Sequence, residues 1–189
     1  IHIYHMNKIV FVNGYPASGK TSLLSELRHQ RVPSPILAKD DIKEPLFRLL
    51  NLSTKEHGKQ LNELVIAFMC QQLGESLRAG TPLILEANFK PIYDQASFGA
   101  ILKDYNVAIL QVLITAPAEV LLARDTERFN AGERHEGHEP LRIDSIYATQ
   151  IDIVKHFDFD GAHNITVNSV EITDGYKQLA GEITDFITN

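Results

Sequence analysis

The chain has 189 residues, 44% of them hydrophobic, with a formal charge of −6 at pH 7 and a pI near 5.7. That size and apolar content suit a single domain over residues 6–189, with a real core and no Pro/Gly/Ser-rich linker dividing it. The acidic balance excludes a global basic footprint for duplex nucleic acid, the lone Cys70 excludes an internal disulfide and fits a reducing cytoplasm, and no apolar run approaches a membrane span.

The opening IHIYHM has neither the charged nor the apolar region of a signal peptide, and residues 1–5, ahead of Met6, are expected to be an expression-tag remnant. KIVFV (8–12) is short, apolar and β-branched and predicts a buried strand. KTSLLSELRHQ follows, with Leu23, Leu24 and Leu27 at helical spacing. SPILAK (34–39) predicts a second strand, entered through Pro33 and Pro35. DIKEPLFRLLN predicts a short helix, and KEHGKQLNELVIAFMCQQLGESLRAG a long one closed by Gly80. Cys70 falls in the apolar run LVIAFMC, so it is expected to be a buried, inert thiol.

PLILEAN (82–88) predicts a third strand, YDQASFGAILKDY a helix, and VAILQVLIT (107–115) a fourth strand. PAEVLLARDTERF starts a helix with proline in its first turn. NAGERHEGHEP is a polar loop, LRIDSIYATQIDIVKHF returns to helix, and NITVN (164–168) is a fifth strand. The last helix carries Tyr176, Leu179, Ala180, Ile183 and Phe186 on one face. Apolar strands alternating with helices imply an α/β fold, a parallel sheet covered on both faces, with ligands at the carboxyl ends of its strands.

After the first strand, Gly14, Gly19, Lys20 and Thr21 match G-x-x-x-x-G-K-[ST]. Glycines allow the backbone angles that turn successive N–H groups onto phosphate oxygens, and the following helix adds its positive end. The expected nucleotide contacts are Gly14, Tyr15, Pro16, Ala17, Ser18, Gly19, Lys20, Thr21 and Ser22, with Lys20 on the β- and γ-phosphates and the Thr21 hydroxyl on Mg²⁺.

Three classes use such a loop. A signalling GTPase needs N-K-x-D, which is absent, and DFDG (158–161) lies too far downstream for a switch and reads as a turn. Motor and assembly ATPases need more chain. A phosphotransferase needs a base for an acceptor hydroxyl and mobile positive charge over the phosphoryl group. Asp40 and Asp41 follow the second strand, where one can take the proton and the other cap the next helix. Glu86 and Asn88 end the third strand, where a carboxylate can hold Mg²⁺ or the pair can satisfy the next loop. Arg124 and Arg128, four apart on a helix, lead into Arg134, His135 and His138, and the segment of about 124–140 reads as a lid that brings guanidinium groups to the phosphoryl group. His135, Glu136 and His138 lack a further partner and make a poor metal site.

The pieces GYPASGKTSL, KDDIKEPLF, LEANFKP and LLARDTERF occur in the order seen in polynucleotide 5′-hydroxyl kinases. The layout is similar to chloramphenicol phosphotransferases and zeta-toxin kinases, and RHEGH resembles small bacterial P-loop kinases, ATPase-like and of unassigned substrate. The resemblance covers about residues 8–155 and implies a three-layer P-loop kinase fold with a five-stranded parallel sheet of order 2-3-1-4-5. It implies Asp40 as base, Lys43, Asn88, Arg134 and His135 on the acceptor side, Glu86 at the metal, and Arg124 and Arg128 on the transferring phosphoryl group. Lys43 stands where those kinases place an arginine and lacks its bidentate fork. The expected activity is ATP- and Mg²⁺-dependent phosphoryl transfer to a hydroxyl of a small molecule. A 5′-hydroxyl kinase of nucleic acid and a nucleotide-binding regulatory ATPase are the alternatives. From topology alone, Asn168 and Ser169 are the expected neighbours of the adenine.

Overall fold

A computed structural model describes residues 6–52, 54–132 and 153–189. The strands are β1 (Asn7–Gly14), β2 (Ile36–Ala38), β3 (Leu83–Glu86), β4 (Val107–Thr115) and β5 (His163–Asn168). The helices are α1 (Lys20–His29), α2 (Lys39–Leu49), α3 (Thr54–Ala79), α4 (Pro91–Leu102), α5 (Ala118–Asn130) and α6 (Lys177–Thr188). The sheet is wholly parallel with the expected order 2-3-1-4-5.

Register aligns the strand ends. Val12 pairs with Glu86, Ala38 with Glu86, Gly14 with Ile114, and Thr115 with Asn168. The phosphate loop therefore leaves the central strand with β3's carboxyl end on one side and β4's on the other.

Alternation along β1 divides the core. Ile9 and Phe11 face α3 and α4, where Phe11, Phe89, Phe98, Phe157 and Phe159 pack their rings with centroids about 5–6 Å apart, Phe11 edge to face on Phe89, Phe98 and Phe157. Val10 and Val12 face α1 and α6, meeting Leu23, Leu24, Leu27, Leu179 and Ile183. Gly80 ends α3 in the left-handed region at φ 67°, with Thr81 N–H reaching back to Ser76 C=O at 3.1 Å, a Schellman closure. Cys70 is buried in the α3 core, and desolvation pushes its thiol up to about 11, so it is inert.

Four expectations change. β2 shrinks to three residues and runs straight into α2, which starts at Lys39 rather than at the expected Asp41, so Asp40 as well as Asp41 lies inside the first helical turn. Ala38 is the N-cap and neither aspartate caps the helix; their charge instead meets the positive end of α2. Tyr176 precedes α6 as its N-cap, at φ 72°, while Asp174 accepts hydrogen bonds from the N–H groups of Tyr176 and Gln178. Most of the helix expected over 141–157 lies outside the described residues, and its described end, 153–157, is turn and coil. There, buried side chains of the sheet take the backbone: Asn13 donates to Lys155 C=O, and Gln111 both donates to Phe157 C=O and accepts from Phe157 N–H. The DFDG run does end in a turn, closed by Ala162 N–H on Phe159 C=O.

Candidate active site

Between β1 and α1 the chain wraps a cradle. Ala17 sits at φ 62° and Gly19 at φ 112°, angles that an ordinary residue adopts only at a cost of about 1–3 kcal/mol. Ser18 N–H closes back on Tyr15 C=O at 3.2 Å. Gly14 has no room for a side chain: a β-carbon would lie 2.5 Å from Ile114 O and 2.6 Å from Ser18 Oγ. The N–H groups of Ala17, Gly19, Lys20 and Thr21 meet no acceptor among the described residues, and the buried Ser18 hydroxyl has no hydrogen-bond partner. Unsatisfied donors around a positive helix end fit a phosphate chain. Tyr15 turns inward onto Leu113, Leu121 and Val154, and Pro16, with no N–H, can only shape the loop.

Lys20 donates to Gly14 C=O and Tyr15 C=O, each at 3.0 Å, and lies 3.7 Å from the buried Glu86 carboxylate. Its ammonium is held at the mouth of the cradle by partners it can share with a phosphate oxygen. Burial raises the pKa of Glu86, Lys20 lowers it again, and the nearby Asp40 and Asp41 raise it. Glu86 thus has Asp40 and Asp41 near it and Lys20 against it, and the residue after Lys20 is the exposed Thr21, whose hydroxyl with these carboxylates offers the hard oxygen donors that suit Mg²⁺. Among the described residues no three His, Cys, Asp or Glu side chains converge on a metal position, so Thr21 and Glu86 would share such an ion with phosphate oxygens and water.

The two aspartates have different surroundings. Asp41 pairs with Arg28 at 2.7 Å on the surface. Asp40 is exposed and makes no hydrogen bond or ion pair among the described residues, which leaves its carboxylate available as an acceptor. Beside it, Lys39 Nζ donates to Asn88 Oδ1 at 3.1 Å, and Lys43 is buried one turn along α2.

On the other side of the loop, Arg124 Nη1 donates to Ser169 Oγ at 2.8 Å and reaches Ala17 C=O at 3.4 Å. Arg124 therefore joins α5 and the end of β5 to the phosphate loop. Neither Arg124 nor the exposed Arg128 forms an ion pair with a described residue. Asn168 holds the β5 turn by donating to Glu171 at 2.9 Å. Arg134, His135, Glu136 and His138 lie outside the described residues.

Strand ends thus bring Lys20, Thr21, Glu86, Asp40, Asn88 and Arg124 to one edge. Sequence reasoning missed Lys39, Lys90 and Tyr176. The first two were visible only as single letters, the K of KDD and the K that follows EANF, and nothing local marks Tyr176 as a neighbour of Gly19. A surface depression of about 360 Å³ lies elsewhere, between α3 and α4 beside Cys70, Gly74 and Tyr105. None of the residues of the phosphate cradle lines it.

A family model described as an AAA domain matches residues 9–145. No curated protein matches the chain by sequence. Among solved structures, the chain is similar to a provisionally named kinase from Chloroflexus aurantiacus, with TM-score 0.81, 24% identity and coverage of 97% of this chain and 100% of that one. A sugar kinase from Janibacter gives TM-score 0.61 at 15% identity, covering 97% and 96%. An APS kinase from Mycobacterium tuberculosis, solved with AMPPNP and APS, gives 0.57 at 17%, covering 97% and 99%.

Proposed function

Because the chain belongs to the AAA domain family of P-loop proteins, we propose that it is a kinase that moves the γ-phosphoryl group of ATP to a hydroxyl of a small molecule. The observation that carries this reading is the pairing of an unsatisfied phosphate cradle after β1 with an unpaired carboxylate, Asp40, after β2, two strands along the same edge of the sheet. A binding or signalling module needs only the first. The sugar kinase and the APS kinase with this fold support a small acceptor.

The chemistry follows from the placement. Lys20 and the loop amides hold the phosphates in line with the acceptor. When bound, Mg²⁺ neutralises charge on the β- and γ-phosphates, with Thr21 and Glu86 on its protein side. Asp40 accepts the acceptor's proton as the new O–P bond forms and the bond to the β-phosphate oxygen breaks. Arg124 and Arg128 offset charge on the transferring group. Phosphoryl transfer asks for positioning and charge of this kind and for little covalent chemistry.

Labelled ATP and a panel of hydroxyl metabolites, nucleosides, antibiotics and a 5′-hydroxyl oligonucleotide test the reading. A phosphorylated small molecule is the expected product. Nucleotide binding with no product from any acceptor would favour a regulatory ATPase, and transfer confined to the oligonucleotide would make the chain a polynucleotide kinase.

A further inference from the structure

Beside the candidate base, Lys39 opens α2 with its ammonium half-buried. It makes one hydrogen bond, to the neutral Asn88, and no carboxylate lies within ion-pair distance among the described residues. Its placement adds further positive potential. It sits in the first turn of α2, at the helix's positive end, where a cation is disfavoured and where Asp40 and Asp41 supply the compensating charge. Lys43 follows one turn later on the same helix and is buried, and Lys90 is the N-cap of α4 at the end of the next strand. Two carboxylates also act on the Lys39 ammonium. Asp94 is already engaged, accepting Lys90 N–H at 2.7 Å, and Asp40 is the group reserved for the acceptor hydroxyl. Desolvation, together with Lys43 and Lys90, holds Lys39 down at about 8, against the opposing pull of Asp40 and Asp94.

Burying a lysine without an ion-pair partner costs stability. We propose that Lys39, with Lys43 and Lys90, forms the subsite for a negatively charged group, a carboxylate or phosphate ester, on the small hydroxyl compound that the enzyme phosphorylates. This rests on the kinase reading above. The anion completes the lysine cluster and sets the acceptor hydroxyl beside Asp40, so acceptor specificity is for hydroxy acids and sugar phosphates over neutral polyols.

The test uses the whole chain with labelled ATP and three acceptors on one carbon skeleton: sorbitol, gluconate and sorbitol 6-phosphate, alongside a 5′-hydroxyl oligonucleotide. A charged member is expected to exceed sorbitol by about tenfold or more in kcat/KM, the worth of one charge-assisted hydrogen bond. Lys39→Met should abolish that advantage through KM while leaving the ATP KM unchanged, and Lys39→Arg should retain most of it. Which anion is preferred distinguishes carboxylate from phosphate ester. Equal or better use of sorbitol, an advantage indifferent to Lys39→Met, or transfer to the oligonucleotide alone overturns the proposal.

A binding arm separates this proposal from the kinase reading. Lysines are converted to ¹³C-dimethyl-lysine, which keeps the charge, and the Lys39 resonance is assigned by its loss in Lys39→Arg. Gluconate or sorbitol 6-phosphate should shift that resonance and raise its titration midpoint, and sorbitol should not. If no acceptor is phosphorylated but the shift occurs, the kinase reading fails and the anion subsite stands. If neither anion shifts the resonance, the subsite is wrong whatever the activity.

Discussion

The phenolic oxygen of Tyr176 fills the space that a β-carbon on Gly19 would occupy. The C-terminal helix thereby braces the phosphate loop at its tightest residue, which already sits at φ 112°. Tyr176 is itself held at φ 72° by the Asp174 cap, and burial raises its pKa. Gly19→Ala is expected to weaken binding of a non-hydrolysable ATP analogue by at least about tenfold, since backbone strain and clash each act on the loop. Adding Tyr176→Phe removes the clashing hydroxyl and should restore part of the loss, leaving the strain. Calorimetric titration of the two variants checks this, and no recovery in the double variant would show that the phenol is not the obstacle.

Gly14→Ala should be worse for the fold. Its new methyl meets the backbone carbonyl of Ile114, which two paired strands hold in place. A loss of at least about 2 kcal/mol is expected in urea unfolding, at the upper end for overpacking, because the neighbour cannot move aside.

The two adjacent aspartates should separate cleanly. Asp40→Asn is expected to lower phosphoryl transfer by about 10²–10⁴-fold while sparing ATP binding, the usual range for losing a general base. Asp41→Asn breaks the exposed pair with Arg28 and removes one negative charge from the first turn of α2, and it should leave transfer intact and stability within about 1 kcal/mol of the parent. Wild-type turnover by Asp40→Asn would remove it from the mechanism.

Glu86 predicts a pH signature. Its folded pKa is raised above 4.5, first by burial, so the native state binds its proton more readily than the unfolded chain does. The stability this provides is complete below 4.5 and is lost as pH rises through the higher folded value. Glu86→Gln cannot ionise and escapes that loss. Its melting temperature relative to the parent should therefore be more favourable at pH 8 than at pH 4.5. For a chain of this size each kcal/mol moves the midpoint by about 2–4 °C, so scanning calorimetry resolves the trend.

Much of the architecture was legible because the strands are apolar runs at regular intervals and each ends in chemistry. VAILQVLIT, buried through its centre, could hardly be read otherwise, and the glycine pattern lay where a strand meets a helix. What was hidden depended on partners far along the chain. Residues 153–157 carry a helical pattern, but Asn13 and Gln111 claim their backbone from more than 40 positions away. KDD looked like a loop with a cap because nothing local shows that β2 is only three residues long. The lysine cluster is a convergence of α2 with the end of β3, and no spacing in the sequence encodes it.

The pairing of β1 also constrains how the protein is made. Both of its neighbours come later: β3 at Leu83–Glu86 and β4 at Val107–Thr115, and Gly14 takes its place only against Ile114. A nascent chain that has released its glycine loop from the ribosome still lacks the wall that shapes it. Parallel pairing across such distances is slow to nucleate, so the apolar first strand waits, exposed, until a hundred further residues have emerged. Nucleotide can reward folding only after that point, which makes the ligand a late stabiliser of the finished sheet rather than a template for its first turn.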